Sequence, residues 1–344
     1  MGAITDESGL TTAGSTQPMR ADRPIDFLVI GAEKAGTTTL HRWLAAEGAS
    51  LPKQKESRFF VEDERYALGP DWYRRQFAPG SLALRGEVDP LCISSIQAPP
   101  RVREIAGDIP IVAILRNPLA RAYSHFGMCV TRGWESRTFA EVLAEEIAES
   151  KSDSSDRDLG AAMQAAREAT HRSRDTVDGR TTQRGVYIWP GLYSRHLDRW
   201  RSQFTRVHVH FFEDLFTDRR RGHQEYLTLL REIGGVGEGV GWDPDRREVP
   251  SVEPRSKRLA AMLYNPGAWS ASTRALASIV PRRARSAIWR ALALGNRSTV
   301  PLPAMPRASA LPVAARELFA ADIAQLQEQT GRNLAAWTEG LALR

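Results

Sequence analysis

Lys34, Thr37 and Thr38 lie where an apolar run gives way to a glycine-bearing turn and then to a helical pattern, in Asp26-Phe-Leu-Val-Ile-Gly-Ala-Glu-Lys-Ala-Gly-Thr-Thr-Thr-Leu40. Residues of these types at this spacing bind phosphate. Gly31 and Gly36 let the backbone bend tightly, so that successive N–H groups and the first helical turn face one anion. Lys34 adds a mobile positive charge, the hydroxyls of Thr37 and Thr38 add donors, and Ala35, Gly36 and Thr39 complete the candidate cradle. The spacing Gly31-x-x-x-x-Gly36 matches the first half of a Walker A loop, but Thr37 stands where that loop requires Lys. This argues against an ordinary nucleotide triphosphatase.

A second constellation is Ile111-Val-Ala-Ile-Leu-Arg-Asn-Pro-Leu-Ala-Arg-Ala-Tyr-Ser-His125. Pro118 ends a strand pattern and suits the first turn of a helix, which sets Arg116 at a strand's carboxyl end and Ser124 about two turns along the helix. An Arg and a hydroxyl so placed can grip a phosphate, the Arg through a bidentate fork. An ATPase would carry a Walker B Asp at this strand end.

The core Lys34-Ala-Gly-Thr-Thr38 resembles the 5′-phosphosulfate loop of sulfotransferases that use 3′-phosphoadenosine 5′-phosphosulfate (PAPS). The Arg116 to Ser124 stretch resembles their 3′-phosphate motif. Lys53-Gln-Lys-Glu-Ser-Arg-Phe-Phe60 is similar to the Lys-Glu-x-x-Phe-Phe segment of bacterial and glycosaminoglycan-type members, and Trp72-Tyr73 with Phe77 to the helix after it. Gly86-Glu-Val-Asp-Pro90 resembles the Gly-Glu-Lys-Thr/Ser-Pro segment of the heparan-sulfate type. Gly191 to Trp200, Val207 to Leu215 and Pro254-Arg-Ser-Lys257 extend the likeness to about residue 260, with an echo at Gly331 to Trp337. The resemblance implies an α/β fold, a P-loop-like three-layer α/β/α arrangement around a central parallel sheet. It implies PAPS as donor, PAP as product and no metal. Arg255 and Lys257 would then close over the cofactor.

Sulfuryl transfer builds negative charge on the leaving phosphate, so positioning and charge stabilisation carry the catalysis, as in phosphoryl transfer. Lys34 is the residue for that charge. The acceptor must also lose a proton. The resemblance assigns the base to Glu87, with a strand-end ion pair to Arg85 as the plain structural reading. Asp89 is a second candidate or an Asp-Pro turn, and His41 and His125 are further ones. Lys55, Asp89 and Tyr193 are assigned to the acceptor side, and Glu213-Asp214 to a cap or a core ion pair. Two rival classes are a P-loop small-molecule kinase, which lacks its Lys and Asp here, and an inactive PAP-binding scaffold, which would not need the Lys, Arg and Ser set.

These motifs sit in a chain of 344 residues, long enough for one doubly wound domain with insertions. Only five residues are Lys against 42 Arg, yet Lys34, Lys53, Lys55 and Lys257 all fall in the motifs, where a compact ammonium differs chemically from a guanidinium. Two cysteines, Cys92 and Cys129, are too few for a disulfide framework. No apolar run is of membrane-spanning length and no secretory pattern opens the chain, so a cytoplasmic protein is expected. The net charge of +6 comes without a basic run interleaved with aromatics, so no nucleic-acid partner is expected. Residues 1–24 read as a disordered tail and 25–344 as one domain. The charged stretch 151–183 reads as a surface excursion or a lid over the acceptor. Within the variable stretch 265–310, Pro281 to Arg290 is a basic amphipathic piece that could touch a membrane or an anionic acceptor or pack on the core. The acceptor itself, whether a small molecule, a glycolipid or a carbohydrate, is open, as is the oligomeric state. The Arg-rich composition suggests a bacterial source and metabolite tailoring.

Overall fold

The computed structural model describes residues 23–77, 84–151, 176–177, 180–181, 186–235, 238–245, 252–264, 281–301, 303–339 and 341. Most of the expected tail, most of the expected lid at 151–183, and the first part of the variable stretch lie outside the described residues.

Strands β1 (Phe27–Gly31), β2 (Gly86–Val88) and β3 (Ile111–Leu115) are buried along their whole lengths. Continuous apolar runs of this kind belong to parallel strands covered on both faces. With β6 (Val207–Phe211) they form a parallel sheet in the order β2-β1-β3-β6. Leu28 pairs with Glu87 on one side and Ile111 on the other, and Val112 pairs with His208. Gly86 is a glycine because a side chain there would strike the Phe27 ring. Two further short strand pairs lie outside this sheet: β4 (Thr176–Val177) with β5 (Arg180–Thr181), and β7 (Val252–Pro254) with β8 (Arg297–Pro301).

The helices run α1 (Thr37–Ala46), α2 (Asp63–Tyr66), α3 (Gly69–Arg74), α4 (Ala98–Ala106), α5 (Pro118–Thr131) and α6 (Phe139–Lys151). They continue with α7 (Tyr193–Arg201), α8 (Phe212–Phe216), α9 (Arg219–Glu232), α10 (Lys257–Tyr264), α11 (Arg282–Gly295), α12 (Val313–Thr330) and α13 (Ala335–Thr338). None of the described helices is long and apolar enough to cross a membrane. Gly331 ends α12 in the left-handed conformation, φ 65°, which glycine adopts without strain.

The chain leaves β1 toward β2 on one side and reaches β3 on the other. The crevice at the carboxyl ends of β1 and β3 is therefore the topological switch point, where open parallel sheets bind ligands. Both phosphate motifs emerge there.

Candidate active site

Residues 32–36 form the turn between β1 and α1. Ala32 N–H donates to Ile114 C=O at 2.7 Å, tying the turn to β3, and Ala35 N–H donates back to Ala32 C=O at 3.1 Å. Lys34 and Gly36 both take positive φ, 71° and 82°. The Lys34 conformation costs about 1 kcal/mol, which its surroundings must offset. Gly36 has no alternative, because a Cβ there would stand 2.5 Å from the Phe216 ring. No side chain caps α1 and its first turn holds no acidic residue, so its leading amides are available to an anion. Thr37 and Thr39 are buried and Thr38 is half-buried.

Arg116 stands at the end of β3 and reaches across to this turn: its Nη1 donates to Lys34 C=O at 3.0 Å. Its guanidinium lies 4.6 Å over the Phe212 ring. Asn117 follows as the cap of α5, its Oδ1 accepting from Leu119 and Ala120 N–H at 3.0 Å each, which is the physical sense of an Asn-Pro at this point. Ser124 is half-buried on α5. Tyr193 is wholly buried, with its hydroxyl donating to Arg116 C=O at 2.9 Å. It steadies the Arg116 strand end, and it does not line an open acceptor surface.

Sequence reasoning missed how the turn and α5 are joined. Glu33, next to Lys34, would repel a bound phosphate if left bare. Its Oε2 lies 2.9 Å from Nδ1 of His125, a buried side chain on α5. Burial opposes charge on both, yet attraction wins: His125 is raised to about 9, and Glu33 is held far below the usual carboxylate range by His125, with Arg121 and Lys34 adding to it. His125 is thus a charged partner of Glu33 at neutral pH and unsuited to act as a base.

Glu87 differs from its expected role. It is fully buried in β2, and its carboxylate accepts from Ser57 N–H at 2.5 Å, Ser57 Oγ at 2.9 Å and the Tyr73 hydroxyl at 2.6 Å. No ion pair with Arg85 forms among the described contacts; Arg85 instead donates to Pro24 C=O and lies over Phe77. Burial raises the Glu87 pKa against these donors. Asp89 is also buried, caps its own turn by accepting from Leu91 N–H at 3.1 Å, and is pushed well up by burial and by Glu87. Glu87 therefore works as an anchor. It holds Ser57, and with the Phe59–Tyr73 stack at 4.5 Å it fixes the 55–60 segment beside the sheet.

That segment presents Lys55 and Glu56, paired at 2.6 Å, each about a quarter exposed (27% and 25%). His41, on α1, lies within the field of both. Burial and the Lys55 charge lower its pKa to about 4, leaving a neutral imidazole whose Nε2 has no hydrogen-bond partner among the described residues. Glu56, inside the Lys-Glu-Ser-Arg-Phe-Phe segment, was passed over by sequence reasoning, because its exposure relative to Glu87 is set by packing.

Arg255 and Lys257 are exposed. Their segment is latched by Asn296, whose Oδ1 accepts from Ser256 N–H at 2.8 Å and whose Nδ2 donates to Ser256 C=O at 3.0 Å. It rests on the end of the helix that carries Ser124: Thr131 Oγ1 donates to Val252 C=O at 2.7 Å. Asp214 pairs with Arg332 at 2.7 Å and Arg221 at 3.0 Å, the expected ion pair.

The class follows from this frame. The chain has the sulfotransferase fold: the crystal structure of a sulfotransferase from Alicyclobacillus acidocaldarius matches it with a TM-score of 0.52 at 20% identity, covering 91% of this chain and 98% of that one. By sequence it is a distant homologue of the heparan sulfate sulfotransferases. Mouse heparan sulfate glucosamine 3-O-sulfotransferase 5 is 24% identical over 189 residues, 54% of this chain and 46% of that protein. The bifunctional heparan sulfate N-deacetylase/N-sulfotransferase 1 of Caenorhabditis elegans is 27% identical over 193 residues, 55% of this chain and 20% of that protein. The chain thus spans less than half the length of these relatives. No family model matches it.

Proposed function

We propose that this protein is a PAPS-dependent sulfotransferase acting on a hydroxyl acceptor, with Glu56 as the base. The observation that carries the reading is the join of the two phosphate motifs at the switch point, where Arg116 Nη1 bonds the carbonyl of Lys34 itself. A donor with phosphates on both the 3′ and 5′ positions of its ribose needs two anion sites held relative to one another, and this contact supports such an arrangement. The cradle also fits an anion in its own right, since the α1 amides carry no side-chain cap.

PAPS, when bound, supplies the activated sulfuryl group. Lys34 with the amides of residues 35–38 would hold the 5′-phosphate and stabilise its charge as the bond to sulfur breaks. Arg116 and Ser124 would hold the 3′-phosphate, and Arg255 and Lys257, on the segment that follows Val252, would add charge there. Glu56 would take the acceptor proton: its side chain is a quarter exposed, whereas Glu87 and Asp89 are fully buried on internal partners and Glu33 is paired with the buried His125. Lys55, 2.6 Å away, orients Glu56.

Calorimetric titration with PAP and with ATP plus magnesium, on the native chain and on Lys34→Ala and Arg116→Ala, tests the donor site. Binding of PAP that both substitutions weaken, with ATP much poorer, supports the reading. A preference for ATP with magnesium, or no PAP binding, refutes it. PAP binding without turnover on any acceptor would point to a scaffold.

A further inference from the structure

Residues 254–316 contain ten Arg and one Lys and not a single Asp or Glu. The segment holds eleven of the chain's 47 basic residues and none of its 41 acidic ones, so the remainder, with 36 basic and 41 acidic residues, is net negative. Eight of these eleven basic residues belong to one lobe, on β7, α10, α11, β8 or the turn from β7 to α10, where the one acidic residue is Glu253 on β7.

The same lobe exposes large apolar side chains. Ile288 is 52% exposed, Leu292 41% and Leu294 67% on α11, with Val300 56% on β8 and Met262 42% on α10. Helix α11 packs by one edge: Trp289 is half-buried, its Nε1 donating to Leu263 C=O at 2.8 Å and its ring meeting Tyr264 edge-on at 5.1 Å. The helix rests on α10 and leaves Ile288 and Leu292 in solvent. A helix that only braced the core would bury them.

We propose that this lobe is a docking surface for an anionic phospholipid membrane. Each property removes a rival occupant. A polyanion such as a nucleic acid or a sulfated polysaccharide would match the arginines and leave the aliphatic side chains in water. A second copy placed face to face would set the acid-free segment against itself, with like charges opposed. Phosphodiester headgroups above acyl chains match both properties, the combination that keeps basic amphipathic helices in the interface plane. Asn296, at the end of α11, latches Ser256, so α11 and the turn before α10 form one unit. The proposal stands apart from the sulfotransferase reading and is tested without turnover.

Sedimentation with sucrose-loaded vesicles decides it, comparing equal parts phosphatidylglycerol and phosphatidylcholine with phosphatidylcholine alone at about 0.1 M salt. The native chain should partition at least about tenfold more strongly to the anionic vesicles, each basic residue at the surface being worth about fivefold. Arg258→Glu with Arg290→Glu, both exposed, should cut binding by about 25-fold or more on that basis. Ile288→Asp with Leu292→Asp should cut it at least about tenfold at the same salt. Hydrogen exchange on the native chain gives a readout free of any folding defect: vesicles should protect residues 282–301. Overturning results are an absence of binding to anionic vesicles, binding that ignores the Ile288 and Leu292 substitutions, or a concentration-dependent dimer that those substitutions abolish.

Discussion

Replacing Glu33 by Gln removes one partner of a buried ion pair while keeping size and shape, and its effect on stability should depend on pH in a stated window. In the folded chain His125 titrates at about 9, against 6.5 for an unperturbed imidazole, because the Glu33 carboxylate outweighs the burial penalty. That gap corresponds to about 3 kcal/mol of stability. The folded pKa is raised, so this contribution is fully present below pH 6.5 and is lost as pH rises from 6.5 through about 9. Glu33, whose pKa is depressed, contributes above its unfolded value near 4.5 and loses that contribution in acid. Breaking one side of such a pair costs about 3–5 kcal/mol when the other charge stays buried; here His125 can escape by losing its proton, so the lower figure applies. The assay is denaturant or thermal unfolding of the native chain and Glu33→Gln at pH 6 and pH 9. The native chain should lead by about 3 kcal/mol at pH 6, or about 5 °C in midpoint for a chain of this size, and most of that lead should vanish at pH 9. His210, also raised to about 9 as Glu225 and Glu232 outweigh its burial, titrates in the same window, but it lies on β6 against α9 and its contribution cancels between the two proteins. A lead that is the same at both pH values, or a variant as stable as the native chain at pH 6, would refute the claim that a charged His125 holds the Lys34 turn to α5.

Glu56→Gln should lower turnover at least about a hundredfold, the usual worth of a general base, with PAP affinity and unfolding midpoint unchanged. Glu87→Ala should do the opposite first, destabilising by about 2–4 kcal/mol as three buried donors lose their acceptor, visible in denaturant titration. Gly36→Ala should weaken PAP binding at least about tenfold and lower stability by about 1–2 kcal/mol, since the new methyl meets Phe216 at a left-handed φ; calorimetry and thermal melts check both. His210→Gln should cost stability at pH 6 and little above pH 9, by the same sign as His125, and melts at the two pH values test it.

The elements that carry the two phosphate motifs were legible because local chemistry dictates them. A β-rich apolar run followed by Gly31, Lys34 and Gly36 forms a strand and a tight turn in any context, and Asn117-Pro118 starts a helix by its own cap and fixed φ. What the sequence could not express is how separate segments meet. Glu87 reads as a strand-end carboxylate, a plausible base, until register with Leu28 puts it inside the sheet and Ser57 and Tyr73 close on both oxygens. Glu56 is not distinguished from its neighbours in the sequence, and only the fold leaves it a quarter exposed beside Lys55. His125 reads as a helix histidine until Glu33, 92 positions earlier, stands 2.9 Å away. Motif chemistry is short-range and rests on backbone conformation and residue type. The charge state of an ionisable group rests on burial and on partners brought from far along the chain, and only the packed structure sets those.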